Sequence, residues 1–348
     1  MNNYKKYLFY ISAIIFSGLS SLFLINSTVD TLWYFGGNKF FPENYSFNER
    51  LSKVNLYLKS PAKFNCIILG SSRVTLLDAE KIENDDCFNF SFSDGMPSEF
   101  VYYSHYIKKY GRLPEKLIIG VDARFYSRKE IPPNVPRFVK TLDLPPSFFK
   151  SYLSYDVLDF TIRTLQKKPP RQRYYTQELK GDLLPGTKNY QPPECFTPYG
   201  FGDPYTDKNI HYISSIKNIL KARVVIGYIA PVSAWDMLPL MEDGELESYM
   251  TTMYALSKEF DRFYDFSIPS ELTMRTDNNY DGHHFSKMAN NEIANVLNEK
   301  KSTVGLALHT LSYEEYRNIF ISAMRKFLNN IGTRKRSHWG CPHRSAVR

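Results

Sequence analysis

Lys63-Phe64-Asn65-Cys66-Ile67-Ile68-Leu69-Gly70 runs directly into Ser71-Ser72-Arg73. The apolar run, aliphatic and β-branched and ended by glycine, reads as a buried parallel strand, because a strand covered on both faces shows no polar/apolar alternation. Ser71 and Ser72 then occupy the turn at its carboxyl end, the edge of an open α/β sheet where ligands bind and loop residues carry chemistry. Ser72 also suits the N-cap of a helix, with Asp78 and Glu80 following, and a helix N-terminus favours a developing oxyanion. The two roles can coexist at one residue.

Working outward, Cys87 opens a second strand, residues 97–110 read as a connecting helix, and Leu117-Ile118-Ile119-Gly120-Val121-Asp122-Ala123-Arg124 repeats the apolar-run-then-glycine pattern as a third strand. A helix over 209–220 leads to a strand at 223–231 that is stopped by Pro231, and a helix over 249–260 leads to a last strand at 263–266. Alternating helices and strands place the chain in the α/β class with a mostly parallel sheet. Two proline-rich stretches, 130–146 and 167–206, interrupt the pattern and exclude regular helix or central strand. They form either a lid or polymer-binding wall over the carboxyl edge, or an excursion on the far surface.

After the last strand comes Tyr280-Asp281-Gly282-His283-His284-Phe285, then a helix over 285–297. A serine hydroxyl needs an imidazole within hydrogen-bond reach to become a nucleophile, and the imidazole needs an acceptor to fix its tautomer. A carboxylate three residues before a histidine supplies both base and orienter from one loop. The alternative is an ordinary Asp-Gly turn with His283 and His284 exposed beside it.

In this order the motifs resemble the SGNH, or GDSL-like, hydrolase superfamily, in particular its membrane-anchored bacterial branch of polysaccharide O-acetyltransferase-like proteins. Gly70-Ser71-Ser72 matches the first motif, with Ser71 in place of the usual Asp, and Asp281 and His284 match the last. The resemblance implies a three-layer α/β/α fold of SGNH/flavodoxin-like type with Ser72 as nucleophile, His284 as base and Asp281 as orienter. Asn89-Phe90-Ser91-Phe92-Ser93-Asp94-Gly95 resembles the second motif, implying an oxyanion hole built from the Ser72 and Gly95 amides. At the third motif Asp122 stands where the family has an Asn that donates to the oxyanion. An ionised Asp122 would repel that charge, and a lost donor costs about 2.7–4 kcal/mol. Either Asp122 is protonated, or Arg73 or Arg124 substitutes, or catalysis is weak. Asn89, Arg73 and Arg124 are the auxiliary candidates. The resemblance spans residues 61–300. It implies acyl transfer, most simply of acetyl, to or from a cell-envelope polysaccharide, with a membrane-embedded donor protein as a possible partner. The alternative is a degenerate domain that binds a glycan or an assembly partner.

Residues 7–25 carry no charge, enough to cross a bilayer as a helix, and Lys5 and Lys6 precede them whereas 26–38 hold no Lys or Arg. By the positive-inside rule this is a single-pass anchor with the N-terminus cytoplasmic and the rest outside; the resemblance implies the inner (cytoplasmic) membrane, with the catalytic domain periplasmic or extracellular. A cleaved signal peptide is the alternative, although no small-x-small site follows the run. Residues 27–60 read as a juxtamembrane stalk, its rings Trp33, Tyr34, Phe35, Phe40, Phe41 and Tyr45 suited to the membrane interface, with a short helix ending at Leu58 that packs on the catalytic domain. The expected division is therefore 1–26 stub and anchor, 27–60 stalk, 61–300 catalytic domain and 301–348 tail.

Hydrophobic residues at 43% and aromatics at 16% exclude disorder for most of the chain. Cys66 and Cys87 fall on neighbouring strands and either bridge or stay buried thiols; Cys195 and Cys341 complete the even count. No Cys-x-x-Cys or paired His spacing calls for a metal, and no cofactor is expected. Residues 299–348 hold ten Lys or Arg against three Asp or Glu, +7 of the chain's +8, so the basic character belongs to the tail. There Tyr313, Tyr316, Ile319, Phe320, Ala323, Met324, Phe327 and Leu328 recur at helical spacing. Such a helix packs on its own domain, or lies on an anionic membrane or a partner. Export makes a nucleic-acid partner unexpected.

Overall fold

The strand expected around Ile67 forms as β1 (Cys66–Gly70), buried at every residue. In the computed structural model, which describes residues 3–127, 131–192, 204–242 and 244–331, β1 lies second in a six-stranded sheet. Its companions are β2 (Cys87–Asn89), β3 (Lys116–Val121), β4 (Val224–Ile229), β5 (Arg262–Asp265) and β6 (Leu306–Ala307), in the order β2-β1-β3-β4-β5-β6. All neighbours pair in parallel except β5 with β6. The two-residue β6 follows what sequence reading took as the last strand; it is too short to carry a period.

Both faces of the sheet are covered by helices, which is why its strands read as unbroken apolar runs. On one face Cys66, Ile68, Ile118 and Ile226 share a core with Ala289, Ile293 and Leu297 of the helix Lys287–Leu297. The alternate residues Ile67, Leu69, Leu117 and Ile119 are buried as well, and the helices Pro97–Tyr110 and Ile210–Leu220 pack against one another. Strand order reverses between β1 and β3, and a doubly wound sheet opens a ligand crevice at that point, beyond the carboxyl ends of the strands. Gly70 of β1 and Gly120 of β3 are register partners there. A Cβ on Gly120 would lie 2.2 Å from Val74 Cγ2 and 2.9 Å from the Tyr228 ring, so glycine is what lets the segment after Ser72 close down on β3.

Two compact units divide the chain: Met1–Ser60 with Pro136–Leu184, and Pro61–Val135 with Pro185–Arg348. This differs from the expected division. The C-terminal helix Tyr313–Ile331 belongs to the sheet unit, burying Tyr316, Phe320, Met324 and Phe327. Its Tyr316 hydroxyl donates to Asp265 at 2.9 Å, and Phe327 meets Trp235 edge to face. The apolar stripe thus packs on its own unit; Arg334-Lys335-Arg336 lie outside the described residues, as do Cys195 and Cys341.

In the other unit the apolar segment forms one helix, Asn3–Val29, about 40 Å long at 1.5 Å per residue. Its most apolar window has mean hydropathy 2.1 with nothing buried, long and apolar enough to cross a membrane. It ends at Asp30, which is left-handed (φ 46°) and whose carboxylate accepts from the amides of Phe35 and Gly37 and from the Tyr152 hydroxyl. Trp33, expected at the membrane interface, is fully buried with Tyr175, Leu179, Phe47 and Leu56, and its indole donates to the Gln177 carbonyl. The helix Glu49–Leu58, expected on the catalytic domain, belongs to this unit, where Asn55 donates to the Leu32 carbonyl. Of the proline-rich stretches, Pro136–Leu184 joins this unit as the helices Arg137–Lys140, Phe148–Tyr152 and Tyr155–Leu165 and a small hairpin of Arg173–Tyr175 with Gly181–Leu183.

Cys66 and Cys87 are register partners on β1 and β2 and form a disulfide across a sequence separation of 21. Closing a loop of that size restricts the unfolded chain by about 3 kcal/mol. The variant Cys66→Ala, Cys87→Ala is expected to lose about that much stability, read as a lowered denaturant midpoint, with a steeper slope as the freed unfolded chain expands.

Candidate active site

Beyond Gly70 the chain turns tightly. The Val74 amide donates to the Ser71 carbonyl at 3.0 Å, and the Thr75 hydroxyl donates to the Ser72 carbonyl at 2.8 Å. The helix expected after Ser72 does not form, so Ser72 is not the cap of a regular helix and no helix dipole serves it; Asp78 caps a single turn, Ala79–Lys81, instead. The cause is Asn89, whose side-chain amide donates to the carbonyls of Val74 and Leu77 at 3.0 and 2.9 Å. Asn89 therefore acts at a distance, holding the serine turn against the end of β2.

Into this turn comes the loop that follows β5. His284 Nε2 lies 2.8 Å from Ser72 Oγ, and His284 Nδ1 lies 2.7 Å from Asp281 Oδ2. The other Asp281 oxygen accepts from the amides of His283 and His284 at 3.0 and 2.8 Å. Burial opposes ionisation of Asp281, but the bond to His284 and the two amides outweigh it and hold the carboxyl well below the usual range. An ionised carboxylate is acceptor-only, so Nδ1 carries the proton and the Nε2 lone pair faces the Ser72 hydroxyl. Tyr280 stacks on the His284 ring with the planes 11° apart. The loop needs its glycine: Gly282 has φ +85°, and a Cβ there would sit 1.9 Å from Asp236 Oδ2.

Asp122, at the end of β3, is an acceptor at the centre of a charged cluster. Ser71 Oγ donates to it at 3.0 Å, Arg124 donates through Nε at 3.0 Å and Nη2 at 2.7 Å, and Arg73 Nε lies 3.4 Å away. Burial raises the Asp122 carboxyl, and the charges of Arg73 and then Arg124 more than reverse this, leaving it well below the usual carboxylate range. Of the three possibilities open from sequence, a protonated Asp122 is therefore excluded. The residue at the Asn position is not an oxyanion donor. Gly95 donates its amide to the Phe92 carbonyl at 2.9 Å, closing its own turn. It is glycine for packing, since a Cβ would meet the Gly70 carbonyl at 2.8 Å and the Phe100 ring at the same distance.

Sequence reading missed a second polar group beside the first. The Tyr190 hydroxyl donates to Asp236 Oδ1 at 2.7 Å, and Asp236 Oδ2 lies 3.8 Å from His283 Nδ1. Burial above all pushes the Asp236 carboxyl up to about 6. Burial, and next the nearby charge of Arg73, push the His283 imidazole well below its ordinary value, so it is neutral at physiological pH. Asp236 follows the carboxyl end of β4, and the edge rule that singled out Ser72 would have pointed to 231–236 as well. Tyr190 comes from the second proline-rich stretch, whose residues 185–192 lie in the sheet unit while 193–203 are outside the described residues. Among the described residues no group of three or more His, Cys, Asp or Glu is arranged to hold a metal ion.

The arrangement can deprotonate one serine: an acceptor fixes an imidazole whose free nitrogen meets the hydroxyl at hydrogen-bond distance, the geometry of an activated nucleophile. Comparison of the chain with protein-family models, with curated proteins and with solved structures finds no match.

Proposed function

We propose that this chain is a membrane-anchored serine acyl-transfer enzyme of SGNH type, with Ser72 as nucleophile, His284 as general base and then acid, and Asp281 as orienter. The observation that carries the reading is the continuous path from Ser72 Oγ through His284 to Asp281, with steps of 2.8 and 2.7 Å between residues 212 and 3 positions apart in sequence. The strand order, with its reversal between β1 and β3 beside Ser72, supports a three-layer doubly wound fold. The substrate class is an O-acyl, most simply O-acetyl, group of a cell-envelope polysaccharide. Hydrolysis and transfer share the acyl-serine half-reaction and differ in acceptor, and a membrane-embedded protein would supply the acyl group for transfer. Lys5 and Lys6 ahead of the apolar helix, and no Lys or Arg over 26–38, support a single span with the N-terminus cytoplasmic and the rest periplasmic or extracellular.

A binding-only domain is the second reading, favoured by one observation: the Gly95 amide is engaged by the Phe92 carbonyl and Asp122 is an acceptor among cations. A fluorophosphonate separates the two. Ser72 Oγ would form the P–O bond, fluoride would leave, and His284 would take the serine proton. Intact mass is expected to show one phosphonyl adduct on the full chain, mapped to Ser72 and missing from Ser72→Ala. A folded wild-type chain that takes no adduct would hand the site to the binding-only reading.

A further inference from the structure

The helix Tyr155–Leu165 in the unit that carries the apolar N-terminal helix turns only part of its apolar surface inward. Val157, Thr161 and Thr164 are buried, and Thr164 Oγ1 accepts from the Ser46 amide at 3.2 Å. Facing outward at heptad spacing are Tyr155, Leu158, Ile162 and Leu165: Tyr155 is 80% exposed, Ile162 44% and Leu165 37%, with Leu158 half-buried. Just before them Phe149 is 58% exposed and Leu153 41%. A soluble surface rarely presents such a stripe without something to cover it.

Its surroundings say what covers it. Phe23, two residues before the end of the charge-free run 7–25, stacks on Phe149 at 5.1 Å between ring centroids and contacts Phe148 and Tyr152. Phe23, Val157 and Phe160 share one apolar cluster, and Asn26 donates to the Tyr152 carbonyl at 2.8 Å. The outward rings therefore begin about 3 Å inside the end of the uncharged helix, at 1.5 Å per residue. Across 136–171 the sequence carries seven Lys or Arg against three Asp or Glu, including Lys150, Lys167 and Lys168, while Arg163 pairs with Asp159 at 2.7 Å. Apolar and aromatic side chains rimmed by cations, continuous with a helix fit to span the bilayer, match the chemistry of an anionic lipid interface.

We propose that the face formed by Phe149, Leu153, Tyr155, Leu158, Ile162 and Leu165 lies in the membrane interface and contacts anionic lipid directly, a second membrane contact beside the transmembrane helix. The contact holds whether or not Ser72 is catalytic. To test it, the full-length chain carrying Tyr155→Trp, and separately Leu165→Trp, is reconstituted into vesicles of phosphatidylcholine and phosphatidylglycerol, with and without dibrominated acyl chains. Met288→Trp, on an exposed position of the sheet unit, is the control. After subtraction of the wild-type signal, the added emission at 155 and 165 is expected to fall by roughly half or more in brominated lipid, as suits a ring 5–10 Å into the headgroup boundary. Emission at 288 is expected to stay unchanged. Emission at 155 and 165 as insensitive as that at 288 would overturn the proposal and leave the stripe to a protein partner.

Discussion

Ser72→Ala is expected to lower hydrolysis of p-nitrophenyl acetate by about 10⁴- to 10⁶-fold, and His284→Ala by as much. The reason is geometric. A serine hydroxyl is a weak nucleophile until its proton has a destination, and the structure brings His284 Nε2 to within 2.8 Å of it. Because the two side chains act as one unit, the double variant is expected to be no slower than either single one. Asp281→Asn keeps the volume but removes the acceptor that fixes the proton on Nδ1, and a loss of about 10⁴-fold is expected from the wrong tautomer. Melting curves of all four proteins serve as the check on folding. Single variants that keep more than about a tenth of the wild-type rate would remove Ser72 and His284 from the chemistry, since no mutated nucleophile retains so much. Independent, additive losses would show that the two do not act together.

The relay was legible because each part of it is short and local: an apolar run ended by glycine before Ser72, and an Asp-x-x-His loop. The sheet was legible for the same reason, since β1, β3 and β4 are buried on both faces and their runs are unbroken. What failed were expectations about how distant segments choose partners. The helix predicted after Ser72 loses to Asn89, which claims the Val74 and Leu77 carbonyls from the end of another strand. Trp33 is an aromatic residue a few positions past an apolar helix, and only its contacts with Phe47 and Tyr175 and its bond to Gln177 turn it from an interface ring into a core one. Residues 136–184 carry one short amphipathic helix among prolines, and nothing in them announces that they pack with the first sixty residues. Asp236 and Tyr190 belong to no motif, and their bond spans 46 positions.

The Asp122 cluster carries the second large effect, on stability. Asp122→Ala would leave the buried guanidinium of Arg73, that of Arg124 and the Ser71 hydroxyl without their shared acceptor. Breaking a buried ion pair from one side costs about 3–5 kcal/mol. Arg124 is partly exposed and can turn to water, whereas Arg73 cannot, so most of the loss falls on Arg73. Removing Arg73 as well, in Arg73→Met with Asp122→Ala, is therefore expected to restore part of the stability, a non-additivity that a double-mutant cycle measures directly. The pH dependence has a definite sign. The folded-state carboxyl of Asp122 is depressed below its unfolded value of about 4, so its stabilisation is fully present above that value and is lost as pH falls through the folded value. The gap between wild type and Asp122→Ala is expected to be widest near neutral pH and to narrow progressively below about pH 4. Asp281 is depressed in the same direction and leaves the variant some acid sensitivity of its own. Denaturant midpoints for both proteins across that range decide the point: a gap that stays constant into acid would mean that Asp122 contributes packing volume rather than charge to the pair of arginines beside Ser72.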